Sequence, residues 1–380
     1  MAISKPAFEQ GPIRPPNEAN SLLLRLTRNC PWNRCLFCPV YKTKKFSRRS
    51  LDEIKNDIYA IADSVEKITE ISHSRGSGGK VDRQTVALIH AEYPELMSVA
   101  FWQYHGGETV FLQDGDSLLL PVEQLIEILG LLKEKFPKIN RITTYARSRT
   151  LLRRSVEELA SLKKAGLNRI HVGLESGNDA VLDLMKKGVT ASQHIEAGLR
   201  VKDAGLSLSE YVLLGLGGEK LWREHALDTA EVLNKIDPHF IRIRTLAVRP
   251  NSPLAELVEK GDFKILPDDQ VVREEALLID NLEGIKSTIY SDHILNLLEE
   301  VCGKLPEEKS RMKNIIDSYL NMPKRDRELF RLGRRTGYFR TLTDMENEAL
   351  VSTVEDIYRQ VKNSGFSVDQ YITQLLQRFV

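Results

Sequence analysis

Cys30, Cys35 and Cys38 are three of only four cysteines in the chain, and they fall in one stretch with the spacing C-x4-C-x2-C. Soft thiolates this close together suit zinc or an iron–sulfur cluster better than a hard cation. A structural zinc site takes four protein ligands, usually as two pairs. No second C-x2-C or C-x2-H occurs downstream. An ordinary [4Fe–4S] cluster takes four cysteines, so three leave one iron with a free position at which something can be bound and activated. Cys302 stands alone in Val301-Cys302-Gly303 and reads as a small buried apolar residue.

Those thiols need elements to hold them. The apolar run Ser21 to Leu26 just before them reads as a buried strand. After the loop, Leu51, Ile54, Ile58, Ile61 and Val65 recur at helical spacing, residues 72–82 form a turn-rich loop, and a further helix is expected between Thr85 and Ala100. From there strands and helices alternate. Strands are expected at 109–113, 141–145, 169–174, 207–214 and 240–248. Helices are expected at 121–135, at 155–164 with a Ser155/Glu158 capping box, between 178 and 204, and at 221–235. Such alternation means parallel strands with helices outside. Six strand–helix units fit an open partial (β/α)6 TIM-like barrel, an α/β fold. Past Pro253 the periodicity turns helical, over 271–281, 293–305, 309–321, 326–334, 347–362 and 368–379. The expected organisation is an irregular N-terminal arm at 1–20, the barrel at 21–255 and a helical C-terminal region at 256–380.

Composition narrows the classes. The 380 residues carry 54 basic and 53 acidic side chains, a net charge of +1, which makes no global case for a nucleic-acid or anionic-membrane partner. No apolar stretch approaches the roughly 18 residues of a membrane span. Residues 1–20 lack an apolar signal core, so a cytoplasmic location is expected. The basic segment Lys324 to Arg335 reads as a solvated helix face, with contact to RNA phosphate as its alternative.

The cysteine loop, with Phe37 directly before its third cysteine, resembles that of the radical S-adenosylmethionine (SAM) superfamily, although C-x4-C-x2-C is one residue longer than the usual C-x3-C-x2-C. The resemblance implies a [4Fe–4S] cluster on Cys30, Cys35 and Cys38, with SAM as second cofactor. It also implies SAM contacts at the C-terminal ends of the strands, where parallel barrels gather functional groups. For the SAM ammonium it implies a G-G-E motif. Gly106-Gly107-Glu108 has the letters but precedes its strand; Asp114-Gly115-Asp116 has the place, with Asp116 where the glutamate falls, and is favoured. Glu175 and Ser176 in Gly173-Leu174-Glu175-Ser176-Gly177 are implied for the ribose. Lys187 or Arg147 is implied for the carboxylate, and Leu214 and Gly215 for the adenine. Arg249 to Leu254 resembles a terminal proline loop of the superfamily.

The activity this implies is reductive cleavage of SAM to a 5′-deoxyadenosyl radical that abstracts hydrogen from an unidentified substrate. An electron donor such as a flavodoxin or ferredoxin, and a strongly reducing or anaerobic setting, go with it. Two alternatives stay open: a non-catalytic iron–sulfur electron carrier or sensor, and an RNA-modifying radical SAM enzyme. A methylthiotransferase would ordinarily carry a second cluster, for which Cys302 alone is too few.

Overall fold

The computed structural model describes residues 8–250 and 252–379. Residues 1–7 of the expected arm, and Asn251 of the proline loop, lie outside the described residues. Eight strands make one sheet: β1 (Leu22–Arg25), β2 (Thr109–Gln113), β3 (Arg141–Ala146), β4 (Arg169–Glu175), β5 (Ser207–Leu214), β6 (Phe240–Thr245), β7 (Thr288–Tyr290) and β8 (Gly303–Lys304). Their order in the sheet follows their order in the chain. Pairing is parallel for β1–β2, β2–β3, β3–β4, β5–β6 and β6–β7, and antiparallel for β7–β8. The first six strands and their intervening helices are the expected (β/α)6 series. The two short strands β7 and β8 were not expected and come from the C-terminal region, which is otherwise helical.

The chain divides into two compact units. The first holds residues up to 33, 43–172 and 200–208. Its helix Leu51–Ser74 starts at a capping box in which Ser50 accepts from the Glu53 N–H and Glu53 accepts from the Ser50 N–H. It buries Ile54, Ile58, Ile61 and Ile68, one apolar stripe at helical spacing. The helix Val156–Ala165 has the capping box read from Ser155 and Glu158. The arm is irregular from residue 8 except for a short 3-10 turn at Pro16–Glu18, yet it is tied down. Glu9 pairs with Arg25 and Arg28, and Gln113 donates to the carbonyls of Gly11 and Ile13. Glu18 is fully buried, and Arg141 lies 3.1 Å from its carboxylate. One expected helix, 85–100, is two helices, Arg83–Glu92 and Met97–Tyr104, because Pro94 removes an N–H between them.

The second unit holds residues 34–42, 173–199 and 209 onwards. Here the expected helix at 293–305 is absent. That segment is irregular apart from β8, although it buries Leu297, Leu298, Val301 and Leu305. Its carbonyls are served from elsewhere: Arg335 donates to that of Leu295 and Arg334 to that of Leu297. The basic helix Lys324–Thr336 is solvated only at its start, where Lys324 and Arg325 are exposed, and its last three arginines are buried in ion pairs. Arg331, Arg334 and Arg335 are 4–6% exposed. Arg331 and Arg335 bind Asp268, Arg331 also binds Asp369, and Arg334 binds Glu299. No helix among the described residues is long and apolar enough to cross a membrane.

Candidate active site

In the first unit the parallel register sets Arg25 opposite Gln113, which brings the turn after β2 beside the loop after β1. Asp114 is 1% exposed and takes three hydrogen bonds on Oδ2: from Arg25 Nη2 at 2.6 Å, Arg25 Nε at 3.0 Å and the Asn29 N–H at 3.0 Å. Burial raises its carboxyl above the usual range, a larger effect than the lowering by Asn29 and Arg25. Gly115 packs closely on the loop: a β-carbon there would stand 3.2 Å from Cys30 Cα and 3.3 Å from Cys30 Cβ, so a larger residue requires a shift of a few tenths of an ångström. Asp116 is fully buried. It accepts a 2.5 Å bond from Thr150 Oγ1, its Oδ1 has no hydrogen-bond partner, and burial pushes its acid up to about 7. Trp32, within the cysteine loop, lies under the guanidinium of Arg147 at 5.0 Å and that of Arg149 at 5.9 Å. Gly106, Gly107 and Glu108 precede β2.

In the second unit the stretch from Cys35 to Cys38 is held by apolar packing. Leu36 and Phe37 lie against a buried cluster of Val181, Met185, Leu216, Leu246, Leu254 and Phe263. Two backbone bonds fix the loop, from the Leu36 N–H to the Met185 carbonyl and from the Leu254 N–H to the Leu36 carbonyl. Lys187 lies 5.8 Å from the Phe37 ring centroid and 3.1 Å from Glu175 Oε1. Glu175 turns back at a φ of 65°, and a β-carbon on Gly173 would collide with its carboxylate and with Lys187. Ser176 is fully buried and engages His225 Nδ1 at 2.8 Å and the Asn178 N–H at 3.0 Å. Leu214 is buried at the end of β5. Gly215, at a φ of 84°, donates its N–H to Glu274 Oε2 at 2.5 Å.

Sequence reasoning missed Glu210, Glu274, Arg242 and Arg244. Glu210 is fully buried on β5 with neither carboxylate oxygen hydrogen-bonded, and burial drives its acid well up, with Lys187 and Glu175 the charges it feels. Burial also raises the Glu274 acid to about 8 and lowers the His225 imidazole to about 4. For Glu210, Arg242 and Arg244 the available signal was a charge inside a strand that otherwise reads as apolar; Glu274 lies in the helix Asp268–Asp280.

Cys30, Cys35 and Cys38 form no disulfide and each is partly exposed. Among the described residues no three His, Cys, Asp or Glu are gathered as a metal ion would require, so the ligand set rests on the sequence pattern. The donor chemistry fits the cluster: three reduced soft ligands.

The sequence pattern of the Radical SAM superfamily matches residues 24–230, more than half of the chain, and the chain belongs to that superfamily. Its members use a [4Fe–4S] cluster and SAM, which are the cofactors here. Relatives include an uncharacterised protein of Methanocaldococcus jannaschii, 25% identical over 177 residues, 46% of this chain and 53% of the relative. The heme chaperone HemW of Bacillus subtilis is 24% identical over 179 residues, 47% of this chain and 46% of the relative. A third is the B. subtilis threonylcarbamoyladenosine tRNA methylthiotransferase MtaB, 20% identical over 245 residues, 64% of this chain and 51% of the relative. The chain thus spans about half the length of these relatives. Among solved structures, the cobalamin-dependent SAM radical enzyme OxsB matches at 15% identity and a TM-score of 0.47, over 94% of this chain and 58% of that one. Because relatives named for tRNA occur here, the balanced charge no longer argues against a nucleic-acid partner.

Proposed function

We propose that this chain is a radical SAM enzyme whose cluster is held by Cys30, Cys35 and Cys38. When bound, the cluster and SAM supply a reductively generated 5′-deoxyadenosyl radical for hydrogen abstraction from a substrate. The protein's own residues bind and orient. The backbone at Asp114-Gly115 packs against Cys30, and Arg25 and Asn29 anchor that turn from below. Asp114 and Asp116 each keep a buried carboxylate oxygen without a hydrogen-bond partner, and Asp116, at the place of the glutamate, is proposed to receive the SAM ammonium. Glu175 and Lys187 are proposed to serve the ribose and the carboxylate, with Arg147 as the alternative for the latter. Ser176, through His225, is proposed to hold the strand end that carries Glu175. Leu214 and Gly215 are proposed to pack on the adenine, and Phe37 to shield the cluster from solvent. The helical residues 256–380 are proposed to select the substrate. An open cluster iron is labile, so a reducing cytoplasmic setting with a flavodoxin- or ferredoxin-type donor belongs to the proposal.

The observation that carries the reading is the pairing of the superfamily match with the close approach of Gly115 to Cys30. Its test is the electron paramagnetic resonance signal of the reduced, reconstituted protein. SAM is expected to change that signal, and Lys187→Ala to raise the SAM concentration needed. A signal indifferent to SAM would favour the electron carrier instead. The tRNA-directed relatives support an RNA-modifying variant of the same reading. Under that variant, 5′-deoxyadenosine formation rises when unmodified tRNA is added.

A further inference from the structure

The β5–β6 register sets Tyr211 opposite Arg242 and Leu213 opposite Arg244, so both arginines leave the same face of the sheet. Arg242 is 3% exposed and Arg244 9%. A guanidinium at that depth needs acceptors for its fork of donors. Asp292 is the carboxylate both share, 3.7 Å from Arg242 Nη1 and 3.3 Å from Arg244 Nη1. Arg244 Nη1 also donates to the Ile243 carbonyl at 2.7 Å. Arg242 Nε and Nη1 and Arg244 Nη2 are buried and find no hydrogen-bond acceptor among the described residues.

Aromatic rings cover the faces of these groups. The Arg242 guanidinium lies 4.9 Å from the Tyr290 ring and 6.0 Å from Phe240, and that of Arg244 lies 5.1 Å from Tyr211. Such contacts fix the plane of a guanidinium but supply no acceptor to the donors on its edges. The neighbouring arginines differ. Arg334 and Arg340 use Glu299, and Arg335 uses Asp268. His293 adds no positive charge at neutral pH, because burial, Arg244 and Arg334 pull its imidazole down to about 4. Asp292, the carboxylate the pair shares, also lines a cavity of about 340 Å³ with Leu295, Glu299, Arg334, Arg335 and Arg340.

We infer that Arg242 and Arg244 form a binding site for an oxyanion, the carboxylate or phosphate group of a small-molecule ligand. Two buried positive charges share one carboxylate, and their three unmet N–H donors are charge-assisted partners for the oxygens of such a group. That the ligand is the substrate rests on the radical SAM reading; the site itself does not.

The first readout needs neither cluster nor SAM. Thermal unfolding of the full chain is followed while inorganic phosphate, and separately acetate, replaces chloride at constant ionic strength. A saturable rise in Tm is expected with at least one of them. Arg242→Gln is expected to weaken the apparent Kd about tenfold, the loss of one charge-assisted fork. Arg242→Lys, which keeps the charge and loses the fork, is expected to weaken it less. A flat response to both anions in the wild type overturns the inference, as does an unchanged Kd in Arg242→Gln. Displacement of phosphate by SAM also overturns it, since the pair would then belong to the SAM site. If Arg242→Gln does not fold, Arg244→Gln takes its place. Loss of 5′-deoxyadenosine formation with this anion response intact would remove the radical reading and leave the site standing.

Discussion

The two ends of the cysteine loop are secured by different physics. Around Cys30 the anchor is charge and close backbone approach: a buried aspartate on an arginine fork, with a glycine against the cysteine's own Cα. Around Cys35 to Cys38 the anchor is apolar, with Leu36 and Phe37 on a buried cluster and two backbone bonds. The first kind fails abruptly when one atom is added or one charge removed. The second loses stability by increments of buried area.

The sharpest way to break that contrast is Gly115→Ala. Its β-carbon would press within 3.2–3.4 Å on Cys30 Cα and Cβ and the Asn29 carbonyl and displace the first cysteine, so the variant is expected to lose most of its iron after reconstitution, read by iron and sulfide assay. Gly173→Ala is the control, because it meets only the ends of the Glu175 and Lys187 side chains. It is expected to keep its iron and lose SAM affinity. Asp114→Asn comes next, at about 2 kcal/mol of unfolding free energy by denaturant titration. That lies below the roughly 3–5 kcal/mol of a broken buried pair, because Glu9 still serves Arg25. Leu36→Ala is smaller, about 1 kcal/mol, since the side chain is only partly buried and a fully buried leucine loses about 2–5.

A separate effect is on pH dependence, and it sits in the second unit. The Glu274 and Glu275 acids are both raised to about 8 by burial, from 4.5. Folding therefore holds their protons more tightly than the unfolded chain does. The stability from these groups is full below the unfolded value and is lost as pH rises through the folded one. Tm is expected to fall between about pH 5 and pH 8.5, and Glu274→Gln to flatten that fall.

Much of this architecture was legible in the residues. The strand–helix beat could be read because Val110, Ile142, Ile170 and their counterparts alternate with helices bearing a single apolar stripe. The Ser155/Glu158 cap and the turn after β2 could be read for the same local reasons. The segment 293–305 misled because Leu297, Leu298 and Val301 recur at helical spacing while their backbone is served by Arg334 and Arg335. Only the tertiary fold brings those arginines there. The same long-range pairing hid the burial of the basic helix, since Asp268, Asp369 and Glu299 lie far from it in sequence. Nor could the unmet donors of Arg242 be read, because what an arginine lacks is visible only once its neighbours are placed.

The central claim meets its most direct test in the product. The protein is purified and reconstituted without oxygen, reduced with dithionite in the presence of SAM, and analysed by chromatography for 5′-deoxyadenosine and methionine. The account predicts both products from the wild type and neither from Cys35→Ala. A reconstituted four-iron cluster that leaves SAM intact under a strong reductant, or a Cys35→Ala protein that still cleaves it, would contradict the account.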